Sequence, residues 1–251
     1  MEYDPVFIAT KSDDASFSIY NYFISNGPGL GKYILTEGRL PLLEFPEKLI
    51  DNEDRVIIFL SRHSSKAKVN SITVHPVGNF STNDIGGRER NIARCAPEIQ
   101  TAILRKMCDV YSGEKYQVTF EATHHGPESN NRLIFAEIGT EPENWKDVDA
   151  LRTLFLGVRD ATPKNYPNYV GAGGGHYAPK FSSYVLKENV NVGHIISKFR
   201  MDEIGKDEIL MAVEKTDKCK GFLVDKKGIK SAGMTMIREV ADQLGLEVIT
   251  I

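Results

Sequence analysis

The stretch "YQVTFEATHHGPESNNRLIFAEIG", Tyr116 to Gly139, decides how this chain reads. Its two ends are rich in β-branched and aromatic residues, the composition of strands packed in a sheet. Between them lies a polar loop with adjacent histidines, His124 and His125, followed by Gly126 and Pro127, a pair that punctuates turns. The stretch predicts strand, histidine loop, strand. Two imidazoles presented on a stiff turn at a strand end can bind a metal, act as acid and base, or sit on a polar surface loop.

Working outward, the alternation continues. "PVFIAT" (5–10) reads as a buried strand, and "DDASFSIYNYFISN" (13–26) as a helix with a polar N-terminal cap. "RVIIFL" (55–60) is a strand of the kind covered on both faces, and "SITVHPVGNF" (71–80) a strand interrupted at Pro76. "APEIQTAILRKMCDVY" (96–111), "WKDVDALRTLFLGV" (145–158), "DEILMAVEKT" (207–216) and "SAGMTMIREVADQLG" (231–245) read as helices, the last capped by Gly245. "GFLV" (221–224) and "LEVITI" (246–251) are short strands, whereas "VGAGGGHYAPKF" (170–181) is too glycine-rich for either element. Strands interleaved with helices predict an α/β fold with a mainly parallel central sheet and helices on both faces. The expected organisation is one catalytic unit over 1–251, with room for two interleaved lobes and a boundary near 162–179.

At 251 residues, the chain is long enough for a sizeable core, and 41% hydrophobic with 26% charged residues is ordinary for a soluble protein. No apolar run approaches the roughly 20 residues of a membrane span. The N-terminus, "MEYDPVFIATK", lacks the basic start and cleavage site of a signal peptide, so a cytoplasmic location is expected. Cys95, Cys108 and Cys219 fit neither a disulfide framework nor a metal pair and read as reduced structural thiols. The net charge is −3, yet Lys215 to Lys230 holds six lysines against two aspartates, which is +4 and leaves −7 elsewhere. "GGRERNIAR" adds Arg88, Arg90 and Arg94 against Glu89. Such patches track phosphates, or are simply solvated surface.

Six histidines carry most of the remaining information: His63, His75, His124, His125, His176 and His194. Five adjoin a glycine, a proline or the end of a strand, and open α/β sheets bind ligands beyond the carboxyl ends of their strands. Imidazoles converging there are natural zinc ligands. His63, His125, His176 and Glu137 are the candidate metal ligands, and His124, His125 and His194 the candidate catalytic groups. Glu137 lies in an apolar strand, which is costly unless the carboxylate is paired, metal-bound or solvent-facing on an edge strand. His125 and Glu128 also make an HxxE spacing, as in some zinc carboxypeptidases. Gly173, Gly174, Gly175 and Tyr177 are candidate substrate contacts, because glycines let backbone N–H groups approach a ligand closely. Ser64 and Ser65 beside His63 lack the GxSxG elbow, and neither glycine run completes a phosphate-binding motif.

The blocks "SRHSSKAKVNSITVHPVGNF", "EATHHGPESNN", "FAEIGTEPENW" and "VGAGGGHYAPKF", in this order and spanning most of the chain, resemble the zinc-dependent D-aminoacyl-tRNA deacylases of archaea and plants. The resemblance implies an α/β fold related to phosphorylases and peptidyl-tRNA hydrolases, a Zn2+ cofactor, and hydrolysis of the ester between a D-amino acid and tRNA. It does not say which histidines touch metal. On this reading Arg88, Arg90, Lys226 and Lys227 contact tRNA phosphates. A monomer without membrane attachment is expected. Two other readings stay open: a zinc carboxypeptidase-like peptidase or amidohydrolase, and a non-catalytic RNA-binding module.

Overall fold

A computed structural model of the chain describes residues 4–44, 46–49, 55–64, 68–83 and 85–251. Their elements run β1 (Val6–Thr10), α1 (Asp14–Asn26), β2 (Lys32–Thr36), β3 (Val56–His63), β4 (Ser71–Pro76), β5 (Gly78–Asn79), β6 (Asn91–Ile92), α2 (Pro97–Val110), β7 (Gln117–Phe120) and β8 (Arg132–Gly139). They continue α3 (Val148–Arg159), β9 (Asn168–Ala172), α4 (Pro179–Lys187), β10 (Asn191–Ile196), α5 (Lys198–Met201), α6 (Lys206–Glu214), β11 (Cys219–Val224), α7 (Ser231–Leu244) and β12 (Glu247–Thr250). Local chemistry sets the helix ends. The Asp13 carboxylate accepts from the Ser16 amide at 3.0 Å to start α1, and Asp147 caps α3 in the same way. Gly245, at φ 65, ends α7 in the left-handed turn that glycine adopts without strain.

The strands form two larger sheets. One has the order β2-β1-β3-β8-β4-β7 and is parallel except where β4 meets β8. The other, β10-β9-β11-β12, is wholly parallel. It begins with β9, within the glycine- and proline-rich region between 162 and 179. One apolar core joins both sheets, with α2 between them: Ile103 and Met107 share a cluster with Ile58, Ile134, Tyr169 and Val192. The mainly parallel α/β arrangement expected from the sequence is what the chain adopts.

Strand periodicity then decides which side chains face where. In β3, Val56, Ile58 and Leu60 pack toward the helices, and Ile57 and Phe59 pack on the opposite face. In β8, Ile134, Ala136 and Ile138 face the helices and Leu133 and Phe135 face away. That second face is covered by irregular chain carrying Leu40, Leu43, Val77 and Ala93 rather than by a helix. Helices flank both faces of the four-stranded sheet instead: Val170, Phe222 and Val224 pack with Ile209 and Ile237 on one side, and Tyr169 and Leu223 join the shared core on the other.

Several elements escape the sequence pattern, among them β2, β6, β9, β10, α4 and α5. β2 is a half-buried edge strand directly after a glycine turn. β10 is broken at Gly193 and His194, where its register against β9 shifts between Val192 and Ile195. The segment read as structureless, 170–181, supplies the end of β9 and the start of α4; only its middle is loop.

Candidate metal centre

The polar site grows out of that second sheet face. Along β3 the alternation that places Ile57 and Phe59 there continues to Ser61 and His63. Along β8 it continues from Leu133 and Phe135 to Glu137, which lies beside Ser61 in the register. His75, at the end of β4, lies opposite Phe135. Glu121 follows β7 directly. The segment His176–Ala178 runs beside it, the Ala122 amide donating to the His176 carbonyl at 2.8 Å and the Ala178 amide to the Phe120 carbonyl at 2.9 Å. The loop opening with His124 and His125 closes the group; His125 sits at φ 44, a left-handed conformation uncommon outside glycine and often kept at functional sites.

Five of the six histidines and two carboxylates converge here. His63 Nδ1 is 3.0 Å from Glu121 Oε1 and 3.5 Å from Glu137 Oε2. His176 Nε2 is 2.8 Å from Glu121 Oε2, with His124 Nε2 at 3.7 Å from the same oxygen. His75 Nε2 is 3.8 Å from Glu137 Oε2. The rings are packed: His75 and His124 centroids are 4.1 Å apart, His124 and His125 4.3 Å, and His124 and His176 4.5 Å.

Three sets of ligand atoms suit a metal ion. His75, His124 and His125 form the first, His63, Glu121 and His176 the second, and His75, Glu121 and Glu137 the third; within each, the atoms lie within 4.8 Å of one another. The first set is oriented by its backbone. His75 Nδ1 pairs with the Pro76 carbonyl at 3.0 Å, His124 Nδ1 with that of Ala122 at 2.8 Å, and His125 Nδ1 with that of Gly126 at 2.5 Å. A carbonyl only accepts, so each Nδ1 carries the proton and, in the neutral ring, each Nε2 keeps its lone pair. His75 Nε2 is fully buried and has no hydrogen-bond partner, a costly state unless something else occupies its lone pair.

Protonation follows burial and neighbours. Burial, with the adjacent His75, pushes His125 down to about 4 and His124 well below the ordinary imidazole range. Burial opposes charge on His63 too, but Glu121 and Glu137 outweigh it and carry that ring up to about 11. The carboxylates answer in kind: burial works against their ionisation, yet His176 and His63 hold Glu121 well below its ordinary value, and His63 and His75 hold Glu137 at about 2. Burial opposes charge on His75 as well, but Glu137 outweighs it and raises that ring. Without metal, His63 and His75 are therefore held toward the charged form, while His124 and His125 are held in the neutral form that ligates cations; a metal ion at His75 would have to displace its proton.

The centre divides two cavities. One, of about 540 Å3, is lined by Thr10, Ser12, Asp13, Arg62, His63 and Glu137 among others. The other, of about 390 Å3, is lined by Asn79, Phe80, Thr123, Phe199 and Arg200 among others. His124, His125, His176 and Ile85 line both.

The structure thus brings together His63, His124, His125, Glu137 and His176 from the sequence reading, but distributes them differently. The expected metal set of His63, His125, Glu137 and His176 is split: His125 belongs with His75 and His124, His63 and His176 with Glu121, and Glu137 with His75 and Glu121. Glu137 is buried on a central strand, which removes the solvent-facing alternative. His194, expected to be catalytic, is set apart. Its Nε2 pairs with the Ala93 carbonyl at 2.9 Å and its Nδ1 with Thr123 Oγ1 at 3.1 Å, so both ring nitrogens are taken. Burial holds it down to about 3, and it serves the fold beneath the histidine loop.

The glycine loop also differs. The Gly173 amide donates to the Ile196 carbonyl at 2.8 Å and the Gly174 amide to that of Gly228 at 3.2 Å, so neither is aimed at a ligand. Gly175 follows them, and Tyr177 lies near the centre, its ring centroid 5.3 Å from that of His63. Glu128 is turned to Arg88 and Asn91, each at 2.7 Å, and belongs to none of the three ligand sets, so the HxxE spacing makes no metal site. Arg90 is paired with Glu208, while Lys226 and Lys227 are exposed on the turn after β11. Ser64 lines the larger cavity; Ser65 lies outside the described residues.

Sequence reasoning missed Glu121 as a site residue and His75 as a ligand. Their signals were present: Thr119 and Glu121 alternate with Val118 and Phe120, and His75 continues the polar parity of Ser71 and Thr73 against Ile72 and Val74 at the end of β4. No helix among the described residues is long and apolar enough to cross a membrane.

The chain is similar to known proteins along nearly its whole length. The family model described as D-aminoacyl-tRNA deacylase matches residues 50–249. A protein of that name from Thermoplasma volcanium is 42% identical over 98% of this chain and 99% of its own length. Another from Thermoplasma acidophilum is 40% identical over 97% of this chain and 98% of its own. A crystal structure of a conserved protein of unknown function is similar at a TM-score of 0.90 and 26% identity, covering 99% of this chain and 95% of that one.

Proposed function

The chain belongs to the D-aminoacyl-tRNA deacylase family, a hydrolase that releases D-amino acid and free tRNA, and from that premise we propose that it works with a zinc ion and that His75, His124 and His125 hold it. One observation carries the assignment: three imidazoles fixed by their own backbone carbonyls turn three Nε2 atoms toward one another, one of them buried and unpartnered. A zinc ion supplies a Lewis acid and lowers the pKa of water toward neutrality.

The protein's own groups account for the rest. Water adds to the ester carbonyl, the bond from that carbon to the ribose oxygen breaks, and one proton must reach the oxygen that leaves. Glu121, ionised and fully buried, accepts the water's proton. His176, 2.8 Å from Glu121, is more exposed than its neighbours and faces both cavities, so it returns a proton to the ribose oxygen. His63, charged between two carboxylates, holds them apart and keeps both ionised. Every group in this scheme comes from one chain, which suits a cytoplasmic monomer. Lys226 and Lys227, and the half-neutralised Arg88 and Arg90, meet tRNA phosphates without reading sequence.

Incubation with D-tyrosyl-tRNA, L-tyrosyl-tRNA and a peptide tests the reading. D-Tyrosine is released from the first, with far slower release from the second and none from the peptide. Peptide cleavage, or equal turnover of the two tRNAs, contradicts it.

A further inference from the structure

Hydrolysis requires the ester to sit at the histidine centre, so the two halves of the substrate must extend to its two sides. One half is a nucleotide: a flat base, a ribose and an anionic phosphate. The other is an amino acid carrying an ammonium group. The two cavities differ in the surface they offer a flat base. The cavity of about 540 Å3 is lined by Asp13 and Glu137 and by Arg39 and Arg62, with Asp13 and Arg62 paired at 2.8 Å, and among its described lining residues there is no Phe, Tyr or Trp. Among the described residues lining the cavity of about 390 Å3 there is no carboxylate, but there are Phe80, Phe199 and Arg200.

Phe199 is the unusual member. It belongs to α5, a single turn of sequence Lys198-Phe199-Arg200-Met201, and its side chain is 59% exposed although it stands on the rim of a cavity that reaches His124 and His176. The Lys198 ammonium lies 5.1 Å from its ring centroid. Arg200 is engaged by Glu203 and Ser81, each at 2.7 Å, so the pattern here is an exposed aromatic beside the Lys198 ammonium, which stacks an unpaired base while the lysine meets the backbone. The lysine-rich turn continues the same surface. The Lys198 amide donates to the Gly174 carbonyl at 2.9 Å, and the Gly174 amide donates to the Gly228 carbonyl at 3.2 Å, immediately after Lys226 and Lys227. Lys230 pairs with Asp202, just past α5. The glycine loop, rather than touching substrate, ties the basic turn to the aromatic one.

We propose that Phe199 is the stacking platform for the 3′-terminal base of tRNA, placing the terminal ribose in the smaller cavity and turning the D-aminoacyl group into the larger one. This rests on the deacylase reading and adds which wall receives which half of the substrate.

The test measures affinity for uncharged tRNA and for adenosine 5′-monophosphate, the minimal mimic of the terminal nucleotide, in wild type, Phe199→Ala and Phe199→Trp. Phe199→Ala weakens both by about 5- to 100-fold, the span expected of one base–aromatic stack, and Phe199→Trp restores them. With D-tyrosyl-tRNA, the alanine variant raises KM in proportion while kcat changes little. Unchanged affinity in Phe199→Ala, or a fall in kcat at constant KM, overturns the placement. Affinity for uncharged tRNA is independent of turnover, so a wild-type protein that binds tRNA yet releases no D-tyrosine would overturn the proposed function alone.

Discussion

At the scale of single residues, the account turns on which imidazole nitrogen is free. His75, His124 and His125 each spend Nδ1 on a backbone carbonyl and keep Nε2; His194 spends both. Residue type and position along the chain cannot distinguish these cases, because tautomer and partner arise only once distant strands meet. This is why His194, next to a glycine like His176, read as catalytic, and why His75 did not read as a ligand. His124, His125, His63, Glu137 and His176 were legible because polar residues at strand ends have few other reasons to be there. The expected consequence is a sharp contrast between variants. His75→Ala lowers release of D-tyrosine by about 100-fold or more at unchanged fold, since a missing ligand costs more than a missing outer partner. Near-normal turnover in His75→Ala, with circular dichroism confirming the fold, would remove that residue from the centre.

At the scale of elements, strand alternation does most of the positioning. The parity that buries Phe59 and Phe135 on one face of the sheet delivers His63, four residues after Phe59, and Glu137, two after Phe135, to that same face. A reader of the sequence sees this parity, and the strands β1, β3, β4, β7 and β8 follow from it. What stays hidden is the direction of β4, antiparallel to β8, which brings His75 back beside Phe135. The glycine loop shows a second limit. Glycines there read as ligand contacts, but close packing between two turns explains them. A Cβ on Gly228 would lie 2.2 Å from the Gly174 amide nitrogen and 2.8 Å from its Cα. Gly228→Ala is therefore expected to destabilise the fold by about 1–3 kcal/mol in urea unfolding, because backbone must move to admit the methyl. An unchanged midpoint would show that the two turns are not held together as described.

At the scale of the whole molecule, the centre makes stability depend on pH. His125 is held at about 4 and His194 at about 3, below the 6.5 of an ordinary imidazole. Between pH 6.5 and those values the unfolded chain binds protons that the folded chain refuses, so stability falls as pH drops, by at most about 1.4 kcal/mol per pH unit for each ring. Glu137, held at about 2, acts in the same direction: its contribution is present above pH 4.5 and lost toward 2. His63, raised to about 11, stabilises fully below 6.5 and loses that contribution only as pH rises through 11, so it does not offset the acid side. The metal-free protein should unfold at progressively lower urea between pH 7 and 4.5, and His194→Gln should flatten the slope; equal midpoints at pH 7 and 5 would contradict neutral buried rings. The chain as a whole joins a parallel α/β fold to a tRNA substrate through one histidine centre. The most direct test of that centre is elemental analysis of purified protein paired with D-tyrosine release from D-tyrosyl-tRNA, before chelation, after chelation and after zinc is restored. The account predicts bound zinc in the wild type, activity lost with the metal and regained on its return, and depleted zinc in His75→Ala; full activity in zinc-free protein would contradict it.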